Sequence, residues 1–528
     1  MKHVKQLLSA LLVLAVVLSL LPAGVLKASA AEAPAALDIG YPTFKNTELL
    51  DEVYDLSKLG VSYSEKDIMM AIYKQDLANG GDSFYMDRIL AREGVCSGNA
   101  GSNGNADGNT FLTRGRALYM YTSSPSVIGF GGNTAYHQPL GRGDLVRVLF
   151  SNADGSLTTK EDTSKRVNAP SNWSSTYSVG SNLTLDVVKF IHQENVAVTT
   201  MTLTNKSAED QAITVAADST FATEPGKVTV NGAEQTELTG TCSSPAGLTT
   251  IYARMTGDGF EAASSDDYCW LSRDVTVPAG GSVELKVVIA FTTEEIPEST
   301  EQYLRFAGLG NLEAVRAQKA EYNLYWAENL PYIDVPKKAV QKAIDYRWWL
   351  ERFNSLDANI PGYDYQYPVT IEGVLGYNNA IILTQPMHLQ DTKWLRSPYL
   401  AYGQLLSAGN SSQSSAFLDN PGNRNNWNNH YGQYLAEAGY EAFNVIGGGA
   451  ELAENLAYYF GHDATGQLEH YGNHIEGRDL IAYRNNYMTG NDADTISMHA
   501  PGTGTWKAHG ENAYVWAAAD AAAKLYEQ

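Results

Sequence analysis

The chain is poor in cysteine and in positive charge. Of 528 residues only three are Cys (Cys96, Cys242 and Cys269), and no CxxC occurs, so a structural zinc site has no signature. Cys242 and Cys269 fall in one strand-rich region and are expected to pair in an oxidising compartment, which leaves Cys96 free. Lys and Arg number 37 against 59 Asp and Glu, for a net charge of −22. That balance speaks against nucleic acid and against anionic membranes as partners. There is no Walker loop, no GxGxxG opening a helix after a strand, no GxSxG elbow and no HExxH. No cofactor is expected. His470 and His474 are four apart, but Gly472 lies between them and no third ligand is evident, so no metal is expected either.

Long apolar runs are also missing, with one exception at the start. Lys2 and Lys5 precede the apolar run Leu7 to Leu21, and Ala28-Ser29-Ala30 follows as a small-residue cleavage site. Residues 1–30 therefore read as a secretory signal peptide, and the protein as secreted. The leader carries three Lys and no acid, so its removal leaves a net charge of −25. No later stretch could span a bilayer, so no membrane association is expected after cleavage.

A length of 528 residues predicts two to four domains, and 44% hydrophobic residues suffice for sizeable cores. From about residue 31 to 300 apolar and polar residues alternate between Gly, Asn and Asp turns. Val196 to Asn205 ("VAVTTMTLTN") is the clearest case, and Val283 to Phe291 is nearly all apolar, as a central strand should be. This predicts an antiparallel β-sandwich over 31–300. "NADG" at Asn152 reads as a hairpin turn. "GNAGSNGNADGN" (98–109) offers oxygen ligands but lacks the closing Glu of a calcium helix–loop–helix, so a plain loop is expected.

Helical patterns begin near residue 300. Residues 301–330 read as a linker helix, and "PKKAVQKAIDYRWWLERFN" places Ile344, Trp348 and Phe353 near one stripe of an amphipathic helix. Further helical runs are expected over Gly376–Gln390, Thr392–Ser407, Tyr431–Phe443, Gly449–Phe460 and from Ala513 to the end. These six or seven helices in 331–528 fill about half of a twelve-helix toroid. The last run meets no Gly, Asn or Pro stop, and part of a toroid is expected to be missing.

Between the helices lie loops rich in Asn, Tyr, Gly and Trp. Aromatic faces stack on sugar rings and amides bind hydroxyls. Carboxylates in such loops suit glycoside hydrolysis, which needs one acid to protonate the leaving oxygen. "MTGNDADTISM" (Met488–Met498) holds Asn491, Asp492 and Asp494, with Gly490 permitting close backbone approach. Asp492 is either a general acid, with Asp494 raising its pKa or replacing it, or an Asx cap of the next turn. Glu372, Trp427 and Asn428 are candidates to bind sugar, whereas Asp345, Asp419 and Glu511 read as structural. Tyr363, Tyr365 and Tyr367 alternate and could present one or two rings.

Three stretches resemble the six-hairpin glycosidases of the clan containing glycoside hydrolase family 63 and the mannosylglycerate-hydrolase-like enzymes. They are "GYNNAIILTQPMHLQDTKWLRSPYLAYGQLLSAG", "GNRNNWNNHYGQYLAEAGYEAFNVIGG" and "MTGNDADTISM". The last is similar to the family's SGxD loop, with Gly490 and Asp492 on its Gly and Asp. The resemblance covers 330–528 and implies an N-terminal β-domain followed by an (α/α)6 barrel, with Asp492 as general acid. It departs at Tyr377-Asn378, where the family has an aromatic-Asp pair, so a substrate-binding carboxylate is missing there. The family's catalytic base is a Glu near the end of its barrel, which the resemblance places beyond Gln528.

The reading is a multidomain β + α protein: an N-terminal antiparallel β-sandwich followed by a partial (α/α)6 toroid. The function expected is hydrolysis of O-glycosidic bonds in an extracellular glycan, with inversion. The rival is a non-catalytic carbohydrate-binding or cell-surface protein whose toroid only presents aromatics. The discriminating feature is a second carboxylate facing Asp492.

Overall fold

A computed structural model describes residues 33–39, 118–121, 127–130, 133–136, 138–139, 146–168, 171–219, 228–230, 236–243, 250–264, 269–292, 297–331, 335–356, 367–371, 380–412, 415–419, 430–471, 482–483, 507–508 and 512–528. These fall into two compact units. One holds the described residues between 118 and 356; the other holds 33–39, 367–371 and those from 380 onward.

The first unit is built on antiparallel sheets. Its strands are β1 (Leu118–Tyr121), β2 (Gly129–Phe130), β3 (Asn133–Tyr136), β4 (Gln138–Pro139), β5 (Val146–Asn152), β6 (Gly155–Ser156), β7 (Thr159–Asn168), β8 (Trp173–Val179) and β9 (Leu183–His192). They continue as β10 (Val196–Asn205), β11 (Gln211–Asp218), β12 (Val228–Val230), β13 (Glu237–Ser243), β14 (Thr250–Gly257), β15 (Glu261–Ser264), β16 (Cys269–Val277) and β17 (Ser282–Thr292). An eight-stranded sheet runs β12-β13-β14-β17-β10-β9-β8-β7, a six-stranded sheet runs β15-β16-β11-β5-β2 with β6 on β5, and β1-β3-β4 form a small third sheet.

Residue alternation sets which side chains meet. Met201 of β10 stands opposite Leu285 of β17 and Val187 of β9, and Leu203 opposite Val283 and Leu185. The other face of the same strands carries Val196, Val198, Phe190, Val288 and Ala290. That face is covered by Tyr303, Phe306 and Ala314 of two helices, α1 (Pro297–Gly308) and α2 (Asn311–Asn329). Burial on both faces explains why β17 reads as an almost continuous apolar run. It is a central strand, between β14 and β10. The helical run expected over 301–330 is thus two helices, broken at Leu309-Gly310. The turn expected at "NADG" joins β5 to β6, with Asn152 opposite Gly155 and the Asp154 N–H donating to Asn152 Oδ1 at 2.9 Å.

One buried ammonium links the two large sheets. Lys189 of β9, 1% exposed, donates to Val127 O at 2.9 Å and to Gly129 O at 2.8 Å, and Gly129 belongs to β2 of the other sheet. Gly129 has φ +107°, and a Cβ there would lie 2.2 Å from Val146 O, so no other residue fits that strand approach.

The thiols differ from expectation. Cys242 lies on β13 of the eight-stranded sheet and Cys269 on β16 of the six-stranded one, and the half-buried Cys269 is free. The bridge expected between them is not made: two strands near in sequence joined different sheets, so nearness in sequence did not bring the thiols together.

The helix α3 (Lys338–Asn354) completes the first unit and buries Trp348, Trp349 and Phe353, the Trp349 and Phe353 rings stacking at 5.1 Å. The second unit holds α4 (Gln385–Thr392), α5 (Tyr399–Ser412), α6 (Leu435–Ile446), α7 (Gly449–Tyr471) and α8 (Asn512–Tyr526). The starts of α4, α5 and α6 lie later than the apolar runs predict, α6 at Leu435 rather than Tyr431, and those of α4 and α5 each fall at a proline. Pro386 occupies the first turn of α4, and α5 follows Pro398, whose carbonyl takes the Tyr402 N–H at 2.9 Å. The core of the unit gathers Leu405, Leu406, Phe417, Leu435, Phe460 and Leu525, and Tyr367 is buried in it rather than presented to solvent. Among the described residues no helix is long and apolar enough to cross a membrane.

Candidate functional site

Asp492, Asp494 and Asn491 lie outside the described residues, as do Glu372, Tyr377, Asn378, Trp427 and Asn428. So do the 98–109 loop, Cys96 and His474. What is described in the helical unit is the ground on which those segments are rooted.

The segment that contains Asp492 leaves and re-enters through one strand pair. Ala482 stands opposite Ala508 and Tyr483 opposite Lys507, antiparallel, so its two ends are side by side.

The roots of the Trp427 segment converge on α7. Asp463, Gly466 and Gln467 occupy positions i, i+3 and i+4 of this helix and so share one stripe. A Cβ at Gly466 would lie 2.1 Å from Ala416 N, which means that the backbone of 415–417 rests directly on the helix there. This approach brings the Phe417 N–H to Asp463 Oδ1 at 2.8 Å. Gln433 donates from Nε2 to Asp463 Oδ2 at 3.0 Å, and its Oε1 accepts the Leu435 N–H at 2.5 Å, where α6 begins. Gln467 donates to Tyr431 O at 3.2 Å and its side chain also reaches the Asp463 carboxyl. One carboxyl therefore binds the chain on both sides of 420–429.

Its electrostatics are unusual for an aspartate. Asp463 is 2% exposed. Burial pushes its carboxyl up to about 6, and the bonds from Phe417, Gln433 and Gln467 offset only part of that rise. Gln467 Oε1 is buried and has no donor among the described residues.

A second buried acid roots the neighbouring segment. Asp419 accepts the Ile382 N–H on Oδ1 at 3.0 Å, which fixes the chain just after 372–379. Gln385 donates to Thr370 O at 2.8 Å and fixes it just before. His430 donates from Nδ1 to Phe417 O at 3.2 Å. The two Asn- and Tyr-rich segments thus share roots through 417–419. The end of α7 is eight residues beyond Asp463, about 12 Å at the rise of an α-helix.

Sequence reasoning passed over Asp463, Gln433 and Gln467. An acid, a glycine and an amide share one stripe of this helix, but the helix also carries Glu451, Glu454, Asn455, His462 and Glu469, so the stripe does not stand out. Among the described residues no group of three or more His, Cys, Asp or Glu is placed to hold a metal ion.

No family model matches the chain. Solved structures do. A protein described as a kojibiose phosphorylase, from the human microbiome, is 9% identical, with a TM-score of 0.41 over 60% of this chain and 49% of that one. The family GH92 inverting mannosidase of Bacteroides thetaiotaomicron VPI-5482 is 13% identical, with a TM-score of 0.38 over 68% of this chain and 52% of that one. A glycosyl hydrolase of family GH92 is 11% identical, with a TM-score of 0.37 over 67% of this chain and 54% of that one. This chain spans about half the length of each. None of the three is described as a member of glycoside hydrolase family 63.

Proposed function

We propose that this protein is a secreted glycoside hydrolase that cleaves O-glycosidic bonds of an extracellular oligo- or polysaccharide with inversion, using an (α/α)6-type helical unit that follows a β-sandwich. The observation that carries this reading is the strand pair Ala482–Tyr483 with Lys507–Ala508, which brings together both ends of the segment holding Gly490 and Asp492. It supports that segment as a loop presented from one place on the helical unit, as a catalytic loop must be. In this reading Asp492 protonates the leaving oxygen while Asp494 keeps its proton affinity high. A carboxylate on the opposite face, roughly 6.5–9.5 Å away, activates water. Trp427, Asn428, Asn491, Tyr377, Asn378 and Glu372 hold the sugar.

The test is to follow glycan cleavage by the purified protein and to read the anomer first released by NMR. Release of the inverted anomer supports the proposal. Glycan binding with no cleavage favours the non-catalytic carbohydrate-binding reading. Release of the retained anomer overturns the inverting mechanism.

A further inference from the structure

The outer face of the six-stranded sheet carries a grid of side chains with the smallest at its centre. Alternation along β5, β11 and β16 turns Val148, Phe150, Val215, Ala217 and Leu271 into the core and their neighbours outward. Ala216 of β11 stands opposite Leu149 of β5 on one side and Ser272 of β16 on the other. Thr214 stands likewise between Ser151 and Asp274. At the other end Asp218 stands opposite Arg147, and the half-buried Trp270, two residues from Ser272, shares its face. Leu149 is 51% exposed, so the face is open to solvent there.

The grid forms a shallow dish. The Ala216 methyl is its floor, and Leu149 and Trp270 bound it from strands about 10 Å apart. Its polar edges are held in place. The buried Asp218 is gripped by Arg147 through Nε at 2.9 Å and Nη2 at 2.5 Å. Asp274 takes the Thr214 hydroxyl on Oδ1 at 2.6 Å. Ser151 and Ser272 supply two further hydroxyls beside the floor.

We propose that this dish is a glycan-binding site that takes one or two rings of a neutral sugar chain and uses none of the residues assigned to hydrolysis. The apolar face of a ring lies over Ala216 between Leu149 and Trp270, and its hydroxyls meet the fixed carboxylates and the serines. Such a pairing uses both halves of the dish, the apolar floor and the polar rim.

Charge and extent select this ligand. Arg147 and Asp218 cancel, whereas Asp274 leaves a negative charge and Glu261, opposite Ser272, adds another. An anionic ligand is therefore repelled. A stable protein interface covers roughly 800 Å² a side around an apolar centre. This face offers Leu149, Ala216 and Trp270 among polar neighbours, which suits a small amphipathic ring better. The dish does not rest on the glycosidase reading, because a non-catalytic binder would use it equally.

The experiment is affinity electrophoresis of the full chain in native gels containing mannan, dextran or xylan, with polygalacturonate as the anionic control. Every arm carries Trp427→Ala, which removes the stacking ring proposed in the helical unit, so that binding there does not mask the dish. Cleavage is not read, so failure here and failure of the glycosidase reading are separate results. Retardation is expected in at least one neutral gel and not in polygalacturonate. Ala216→Phe fills the dish with a residue that suits a strand, and is expected to weaken the affinity for that polysaccharide by about tenfold or more. Leu149→Ser is expected to weaken it in the same gel, and serves if the Phe variant does not fold. No retardation in any neutral gel, strongest retardation in polygalacturonate, or retardation that both variants retain would each overturn the proposal. Self-association that Ala216→Phe abolishes would assign the face to a second copy of the chain and overturn it as well.

Discussion

The Lys189 ammonium sits 4.1 Å from the centre of the Trp173 ring, fully enclosed between the two large sheets. Its proton affinity is depressed to about 7, first by burial, with Glu161 acting in the opposite sense and Arg166 in the same one. Glu161 is itself buried and engaged by Arg166 at 2.6 Å and by Ser175 at 2.7 Å. A lysine whose folded value lies below its unfolded one binds fewer protons in the folded state between pH 7 and about 10.5, so stability rises with pH across that window. The urea midpoint of the full chain, followed by β-sheet circular dichroism, should increase from pH 7 to about 9.5. Lys189→Met should flatten that slope, and an unchanged slope would count against Lys189 as its source.

Gly466→Ala tests the contact beneath the candidate site. In an exposed helix the change would stabilise by about 1 kcal/mol. Here the added methyl meets the Ala416 backbone at 2.1 Å, which cannot rotate away. Overpacking of this kind costs about 1–3 kcal/mol, so net destabilisation is expected. Limited proteolysis should cut near 415–435 sooner than in wild type. Increased resistance would show that the segment does not rest on the helix.

Asp492→Asn tests the proposed general acid. It keeps the size and most hydrogen bonds of the side chain but removes the proton. On a natural glycan kcat should fall by roughly 10²–10⁴-fold. Fluoride or activated aryl glycosides, whose leaving groups need no proton, should be hit far less. Full activity of the variant on a natural glycan would leave Asp492 as a turn residue.

Cys269 should be alkylated in the denatured protein without reductant, because it is a free thiol. Peptide mapping decides the matter. Recovery of a Cys242–Cys269 peptide would mean that the sheets carrying these residues come closer than the structure shows.

Much of the architecture was legible from local pattern. Val196–Asn205 reads as a strand because apolar residues recur every second position, and it is β10 with those bounds. The α7 helix was expected to stop at Phe460 but runs to Tyr471. Gly461, Asp463 and Gly466 look like breakers by local propensity, and tertiary contacts override that preference. The early starts expected for α4 and α5 reflect a similar limit. An apolar run marks what is buried but not where a proline forces the first turn.

The candidate site was less legible. Its loops stand out by composition, since Asn, Tyr, Trp and Gly cluster in few other places. The acid beneath them does not, because nothing local distinguishes Asp463 from a solvated helix residue. Its partners lie 46 and 30 positions away. Sequence by itself determined the strands, the helical stripes and the acidic balance of charge, all of which depend on near neighbours or on sums. Tertiary structure alone decided that Cys242 and Cys269 belong to different sheets, that Lys189 is enclosed, and that Asp463 binds both roots of one segment. Proton affinity and pairing depend on burial and on which distant groups arrive at 3 Å, and only the folded chain sets those distances.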